Sequence, residues 1–434
     1  MALDRDELNK RRRKKAEERR KQQQMQKKLR MRVLIVVIAL IASALGIYFL
    51  TQQAGGSPEA TQPSGIPVVT QEPTEGKSIL DPQKPTVIHI AAAGDLNVTD
   101  KVVWSGMKDG HYNYTPAFLD VASVLSGADL TVMNFEGNLC GDPFGTEKAS
   151  APQEMMQDLS RAGVDLLQMA NSYSIRNGLS GLTQTLTNIR AAGMEPLGAF
   201  STVEEFKRSK GYTIVEVQGI KIAFVAFTKG MGSLGMPAGS EECVNLLYTD
   251  YASTYQDVDT EGITKILKAA ESEKPDLTIA MLHWGSEYND DISSTQKQIA
   301  KLMQKEGVDV ILGTHSHMVH EIQYDRVTGQ FLAYSLGDFF GNAEVAGTNY
   351  SIILDLEITK DHEAGTTKVT GYQVTPIYTL NEEEGGGQRR VVRTRETMKA
   401  YEEGYVDKVT PEAYEAMKNS LERIQKRIHP KPAK

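Results

Sequence analysis

Four of the chain's eight histidines fall between residues 283 and 320. His283 opens HWGSEY, and His315, His317 and His320 lie in GTHSHMVH at 313–320. Histidines that alternate on an extended loop can straddle one site, and imidazole suits borderline divalent metals. Carboxylates occupy comparable settings: Asp95 follows TVIHIAAAG and Glu136 follows TVMNF. Asp95, Glu136, His283, His315 and His317 together make a donor set for Mn, Zn or Fe, with one ion, or two if a carboxylate bridges. Metals paired in that way activate water and neutralise an oxyanion. Taken singly, each residue has a plainer reading. An Asp after a strand is usually a turn or cap residue, Glu136 suits a solvated loop, His283 suits a satisfied core position, and short histidine motifs give false positives. His320 reads as a supporting or surface residue. His89, His111, His362 and His429 are left outside the site.

What would gather these residues is a set of strands running the same way. TVIHIAAAGD, DLTVMNFEG, VDLLQMANS, DLTIAMLHWG and VDVILGTHSH are short apolar runs of the kind that form buried strands. Each ends in a polar residue, the third in Asn171 and Ser172. In open α/β sheets, ligands bind beyond the carboxyl ends of the strands. Helical patterns lie between: LSGLTQTLTNIRAAG places Leu179, Leu182, Leu186 and Ile189 on one face and stops at Gly193. STQKQIAKLMQKEGV has the same form. YTIVEVQGIKIAFVAFT reads as a hairpin turning at Gln218-Gly219, and FLAYSLGDF, YSIILDLEIT and TKVTGYQVTPIYTL add strands. The whole predicts an α/β domain of layered sheets and helices. NEEEGGGQRR after Leu380 reads as a linker, and residues 390–428 as two helices, the second starting at Pro411.

The chain has 434 residues and a net charge of -8. Residues 1–32 carry fourteen Lys/Arg against five Asp/Glu, so the rest of the chain holds -17. So acidic a body argues against nucleic acid as a partner. The basic leader runs into VLIVVIALIASALGIYFL, residues 33–50, which contains no charge. As a helix it would span about 27 Å, close to the hydrocarbon core of a bilayer. The long charged leader favours an uncleaved anchor over a signal peptide, with positive charge inside and residues 51–434 outside the cytoplasm. Residues 51–83, rich in Pro, Gly, Ser, Thr and Gln, read as a disordered spacer. Cys140 and Cys243 lie in no CxxC or CxxH pattern and make no metal site; free thiols and a disulfide both remain open for them.

AAAGDLN, NFEG, ANSYSIRNG, HWGSEY, GTHSHMVH and YSLGDFFGN occur in an order and spacing that resembles the bacterial capsule-synthesis family of poly-γ-glutamate production, the CapA family. That family looks like a branch of the calcineurin-like metallophosphoesterases. The resemblance spans roughly residues 86–378. It implies a four-layer α/β sandwich at residues 84–380, a metal centre at the strand ends, membrane anchoring, and a role in exporting or releasing an envelope polymer. Where the family has a loop close to ANNHALDYG, this chain has ANSYSIRNG. Ser172 stands at the metal-binding Asn position, Tyr173 at the proton-donor histidine and Arg176 at an acidic position. Asp338 replaces a usual Asn and could add a carboxylate to the rim.

The expectation is thus a single-pass cell-membrane protein: a basic cytoplasmic tail (1–32), an anchor (33–50), a linker (51–83), a metallophosphoesterase-like domain (84–380), and a linker with a helical tail (381–434). Its partners would be an anionic envelope polymer or capsule-synthesis proteins. Its activity would be metal-assisted hydrolysis or transfer; the competing expectation is a catalytically impaired module that binds polymer or partner proteins.

Overall fold

The computed structural model describes residues 84–406 and 408–429. The expected tail, anchor and linker at 1–83 lie outside the described residues. Among those described, no helix is long and apolar enough to cross a membrane.

Among the described residues, sixteen strands follow one another in chain order. The first half holds β1 (Thr86–Asn97), a small hairpin of β2 (Met107–Lys108) and β3 (His111–Tyr112), β4 (Leu130–Glu136), β5 (Leu166–Gln168), β6 (Glu195–Leu197), β7 (Tyr212–Val217) and β8 (Ile220–Thr228). The second half holds β9 (Leu277–His283), β10 (Val310–Thr314), β11 (Ile322–Tyr324), β12 (Phe331–Ala333), β13 (Asp338–Phe340), β14 (Tyr350–Asp361), β15 (Thr366–Leu380) and β16 (Arg390–Arg393).

They form two main sheets. One has the order β16-β15-β14-β1-β4-β5-β6, with β13 also paired to β1; the other runs β11-β12-β10-β9-β8-β7. In the first, β1, β4, β5 and β6 are parallel. In the second, β8, β9, β10 and β12 are parallel. β4, β9 and β10 are buried along their whole length, which is why their sequences are unbroken apolar runs rather than alternating ones. The hairpin β7–β8 turns through Gln218 and Gly219, both at positive φ (49° and 77°), the backbone that a tight two-residue turn needs.

Alternation along the second sheet sorts its side chains between two cores. Phe224, Leu277, Ile279, Met281, Val310 and Leu312 join the core that also holds Ile90 and Val132 of the first sheet. Val225, Phe227, Ala280, Leu282 and Ile311 face the other way, against Ile263, Leu267, Ile299 and Met303 of the helices Thr260–Glu271 and Ser294–Lys305. His283 and Thr314 continue the first series by parity, so they face the first sheet.

The mixed α/β expectation holds for the described residues. The predicted helices appear at Gly178–Ala191, Ser294–Lys305 and Pro411–Ile428. The reading of residues 390–428 as two helices needs correction: residues 390–393 form β16, paired antiparallel to β15, before the helices Thr394–Glu402 and Pro411–Ile428. The intervening stretch is anchored, since Arg389 is buried, paired to Glu382, and donates to the carbonyls of Gly341 and Asn342. Cys140 and Cys243 are free thiols.

Candidate metal centre

The first sheet delivers the carboxylates. β1 carries Asp95 beside Asn134 of β4, with a register irregularity between Ala92 and Asp95. Gly94 explains it: a Cβ at this position would lie 1.7 Å from the carbonyl oxygen of Gly337, so only glycine lets β13 approach. The Asp95 amide then donates to that carbonyl (2.9 Å), and Asp95 pairs with Asp338 across the strands. Glu136 ends β4 two residues after Asn134, on the same side of the strand.

The second sheet delivers the imidazoles. His283 ends β9 and aligns with Thr314 of β10. His315 and His317 follow at positive φ, 88° and 60°. Such backbone is uncommon for side chains with a Cβ and stores strain. The rings of His283 and His315 are 4.4 Å apart. The five predicted ligands therefore lie on facing rims of two sheets rather than along one rim. They fall into two groups whose donor atoms lie within 4.8 Å of one another: Glu136, His283 and His315, and Asp95, Glu136 and His317. Glu136 belongs to both.

Neighbouring side chains fix the cluster: Asn171 and Asp338, which the sequence had already marked, and Asn134, Gln168, Thr314, Asn97 and Tyr288, which it had not. Asn134 Nδ2 donates to Asp95 Oδ1 (2.7 Å) and Glu136 Oε1 (3.2 Å). Asn171 holds Asn134 Oδ1 (3.2 Å) and the Phe135 carbonyl (2.6 Å). Thr314 Oγ1 reaches Gln168 Oε1 and His283 Nδ1, each at 3.2 Å. The His315 amide donates to Asp95 Oδ2 (3.1 Å), tying the two sheets together. Asp338 Oδ1 lies 2.8 Å from His317 Nδ1 and accepts from Asn97 Nδ2 (2.9 Å). That carboxylate holds the imidazole in one orientation, the usual arrangement around a ligating histidine. Tyr288 stacks on His317 at 5.0 Å. One signal was available in sequence: the period of two that puts Asn134 beside Glu136.

Burial governs the ionisation of the cluster. It lifts the Asp95 carboxyl to about 6, with His317 pulling the other way. Burial, followed by the charge of Asp95, raises Glu136 well above the usual carboxylate range. It pushes His283 and His315 well below the ordinary imidazole range. Burial would also lower His317, but Asp338 and Glu136 outweigh it and hold this imidazole well above its usual value. Ionised carboxylates buried together are costly without positive charge to balance them, and the neutral His315 leaves a buried Nδ1 with no hydrogen-bond partner. The donor set fits a divalent metal.

The altered loop lies at this edge. Ser172 Oγ is 3.0 Å from His283 Nε2, so an oxygen remains where the asparagine was expected. Tyr173 is half-buried, and burial, then Glu136, pushes its hydroxyl up to about 12. Arg176 does not enter the cluster: it is exposed and its guanidinium reaches the Glu147 carbonyl. His320 is buried rather than superficial, with Nε2 2.9 Å from the Asn289 carbonyl, and belongs to neither ligand group.

The chain is thus a mixed α/β protein with a buried carboxylate–imidazole cluster, a candidate metal site, at the carboxyl ends of parallel strands. The chain belongs to the family described as bacterial capsule synthesis protein PGA_cap, which matches residues 89–343 and so every residue of the cluster. It is similar to the capsule biosynthesis protein CapA of Bacillus anthracis, 29% identical over 235 residues, 52% of this chain and 54% of that one. The PGA biosynthesis protein CapA of Bacillus subtilis (strain 168) is 26% identical over 225 residues, 52% of this chain and 53% of that one. The matched part thus spans about half the length of these curated relatives. Among solved structures, the calcineurin-like phosphoesterase YfkN from Bacillus subtilis aligns with 79% of this chain and 100% of its own, at a TM-score of 0.42 and 14% identity.

Proposed function

We propose that this chain is a single-pass cell-membrane protein whose extracytoplasmic domain, a four-layer sandwich, handles an anionic envelope polymer such as poly-γ-glutamate during capsule synthesis or export. The uncharged run at 33–50 and its basic leader support the anchoring, and the family supports the setting. The observation that carries the chemistry is Glu136, shared by two ligand groups. Asp95, Glu136, His283, His315 and His317 would hold one or two divalent ions, Mn, Zn or Fe. Such ions supply Lewis acidity and make a nucleophile of water near neutral pH. The protein's own residues set the rest. Asp338 and Thr314 orient His317 and His283, and Asn134 fixes both carboxylates. Tyr173 keeps its proton at neutral pH, so it can give one to a leaving group but cannot act as a base. The reaction that suits this arrangement is hydrolysis or transfer at an amide or phosphoester, slowed by the altered loop.

Ser172 and Tyr173 also favour a second reading, a centre that binds polymer or partner proteins without turning it over. The two separate on the full chain, loaded with Mn or Zn or stripped by a chelator, given poly-γ-glutamate and a generic phosphodiester. Metal-dependent product supports the first reading. Saturable polymer binding without product supports the second.

A further inference from the structure

An open cleft of about 230 Å³ adjoins the cluster, and its lining includes Ser172, His315, Lys229, Tyr255, Ser286 and Glu287. Lys229 is the residue immediately after β8, and its amide donates to the carbonyl of His283 (2.8 Å), which sets the root of its side chain beside the centre. The ammonium is held in place. It donates to the Gly285 carbonyl (2.7 Å) and lies 4.6 Å from the centre of the Tyr255 ring. An ammonium has three protons to donate, and these two contacts leave it capacity for another acceptor. No ion pair of Lys229 is present among the described residues. Glu287 lines the same cleft, and it is exposed.

A half-buried cation whose carboxylate neighbour, Glu287, acts on it through space but forms no ion pair with it is unusual in an acidic protein. Placed against a cluster of carboxylates and imidazoles, it supplies what the cluster lacks, a donor for negative oxygen that no metal ligand provides. We propose that Lys229 is a specificity residue. It takes an oxyanion carried by the substrate, either the pendant carboxylate of a γ-linked glutamyl chain or a phosphate, while the group to be attacked faces His315 and Ser172. This rests on reading the cluster as a centre for an acidic polymer. It also shows how an acidic domain receives an acidic chain: the needed positive charge is local and lies inside the cleft.

The test measures binding rather than turnover. The full chain in detergent, stripped of metal by a chelator, is titrated at low salt with a short γ-linked glutamate oligomer, with the same oligomer amidated at its pendant carboxylates, and with inorganic phosphate. Lys229→Gln should weaken the oxyanion probe by about tenfold to a hundredfold, the cost of one charge-assisted hydrogen bond. Lys229→Arg should stay within a few-fold of the parent, which guards against a folding defect. The amidated oligomer should bind weakly and ignore the substitution. Preference for the glutamate oligomer over phosphate assigns the pendant carboxylate, and the reverse assigns a phosphate. Equal affinity of the parent and Lys229→Gln, or no binding of either probe to the parent, overturns the proposal. Metal content measured on the same preparations should not change with Lys229→Gln. A protein that binds the oligomer through Lys229 but takes up no metal would sink the metal centre and leave the anion site standing.

Discussion

Asp95→Asn should stabilise the metal-free protein at neutral pH and abolish its response to metal. Asp95 is fully buried, and burial raises its carboxyl from 3.8 to about 6. At about 1.36 kcal/mol per pKa unit, that rise sets roughly 3 kcal/mol against the folded state once the carboxyl is ionised. The folded form holds its proton to higher pH than the unfolded form. Stability is therefore intact below about pH 4 and is lost as pH rises through about 6. Asparagine cannot ionise, so it escapes that loss. It can no longer accept freely from both the His315 amide and Asn134 Nδ2, at a cost of about 1 kcal/mol. The net expectation is a gain of roughly 2 kcal/mol near pH 7.5 and a small loss near pH 4. Comparing variant with parent at each pH cancels the titrations of His283 and His315. Denaturant unfolding in chelator at both pH values reads the difference as a midpoint shift. Added Mn or Zn should then stabilise the parent and not the variant. Equal destabilisation at both pH values, with the metal response intact, would show that Asp95 is only a structural hydrogen-bond acceptor.

Three further outcomes are expected. Ser172→Asn with Tyr173→His should raise turnover of a generic phosphodiester by about 10²–10⁴-fold, the usual worth of acid–base help; unchanged, robust parental turnover would show that the loop is not impaired. Arg176 is left unchanged in that variant, because its guanidinium reaches the Glu147 carbonyl and it belongs to neither ligand group. Gly94→Ala should cost about 3 kcal/mol from overpacking against Gly337 and weaken metal uptake by separating Asp95 from Asp338; wild-type stability by denaturant unfolding would refute the close approach. A C-terminal reporter should be active outside the cytoplasm, and activity only inside would reverse the proposed topology.

The strands that position the cluster were legible because burial on both faces leaves an unbroken apolar run, as in LTIAMLH and VILGT. Their polar ends marked the candidate ligands, because several such ends together, unlike one alone, point to a shared rim. Which sheet each strand joins was not legible: parallel pairing is decided by long-range contacts, and nothing local in TVMNFE or TIAMLH assigns them to opposite sheets. RVVR at 390–393 passed for a helix start because a four-residue edge strand is too short to show a period of two. The positive φ at His315 and His317 was hidden as well, because no glycine marks the positions. Lys229 follows a strand like many surface lysines, and only the packing of Tyr255 and Gly285 around its ammonium sets it apart.

The central claim is that the carboxylates of one sheet and the imidazoles of the other hold metal. Elemental analysis of the full chain, after equilibration with Mn, Zn or Fe and removal of free ions, tests it most directly. The account predicts one to two tightly held divalent ions per chain in the parent, and a clear loss in His315→Ala, whose ring completes the group with Glu136 and His283. A parent that retains no divalent metal, or a His315→Ala variant that retains as much as the parent, would contradict it.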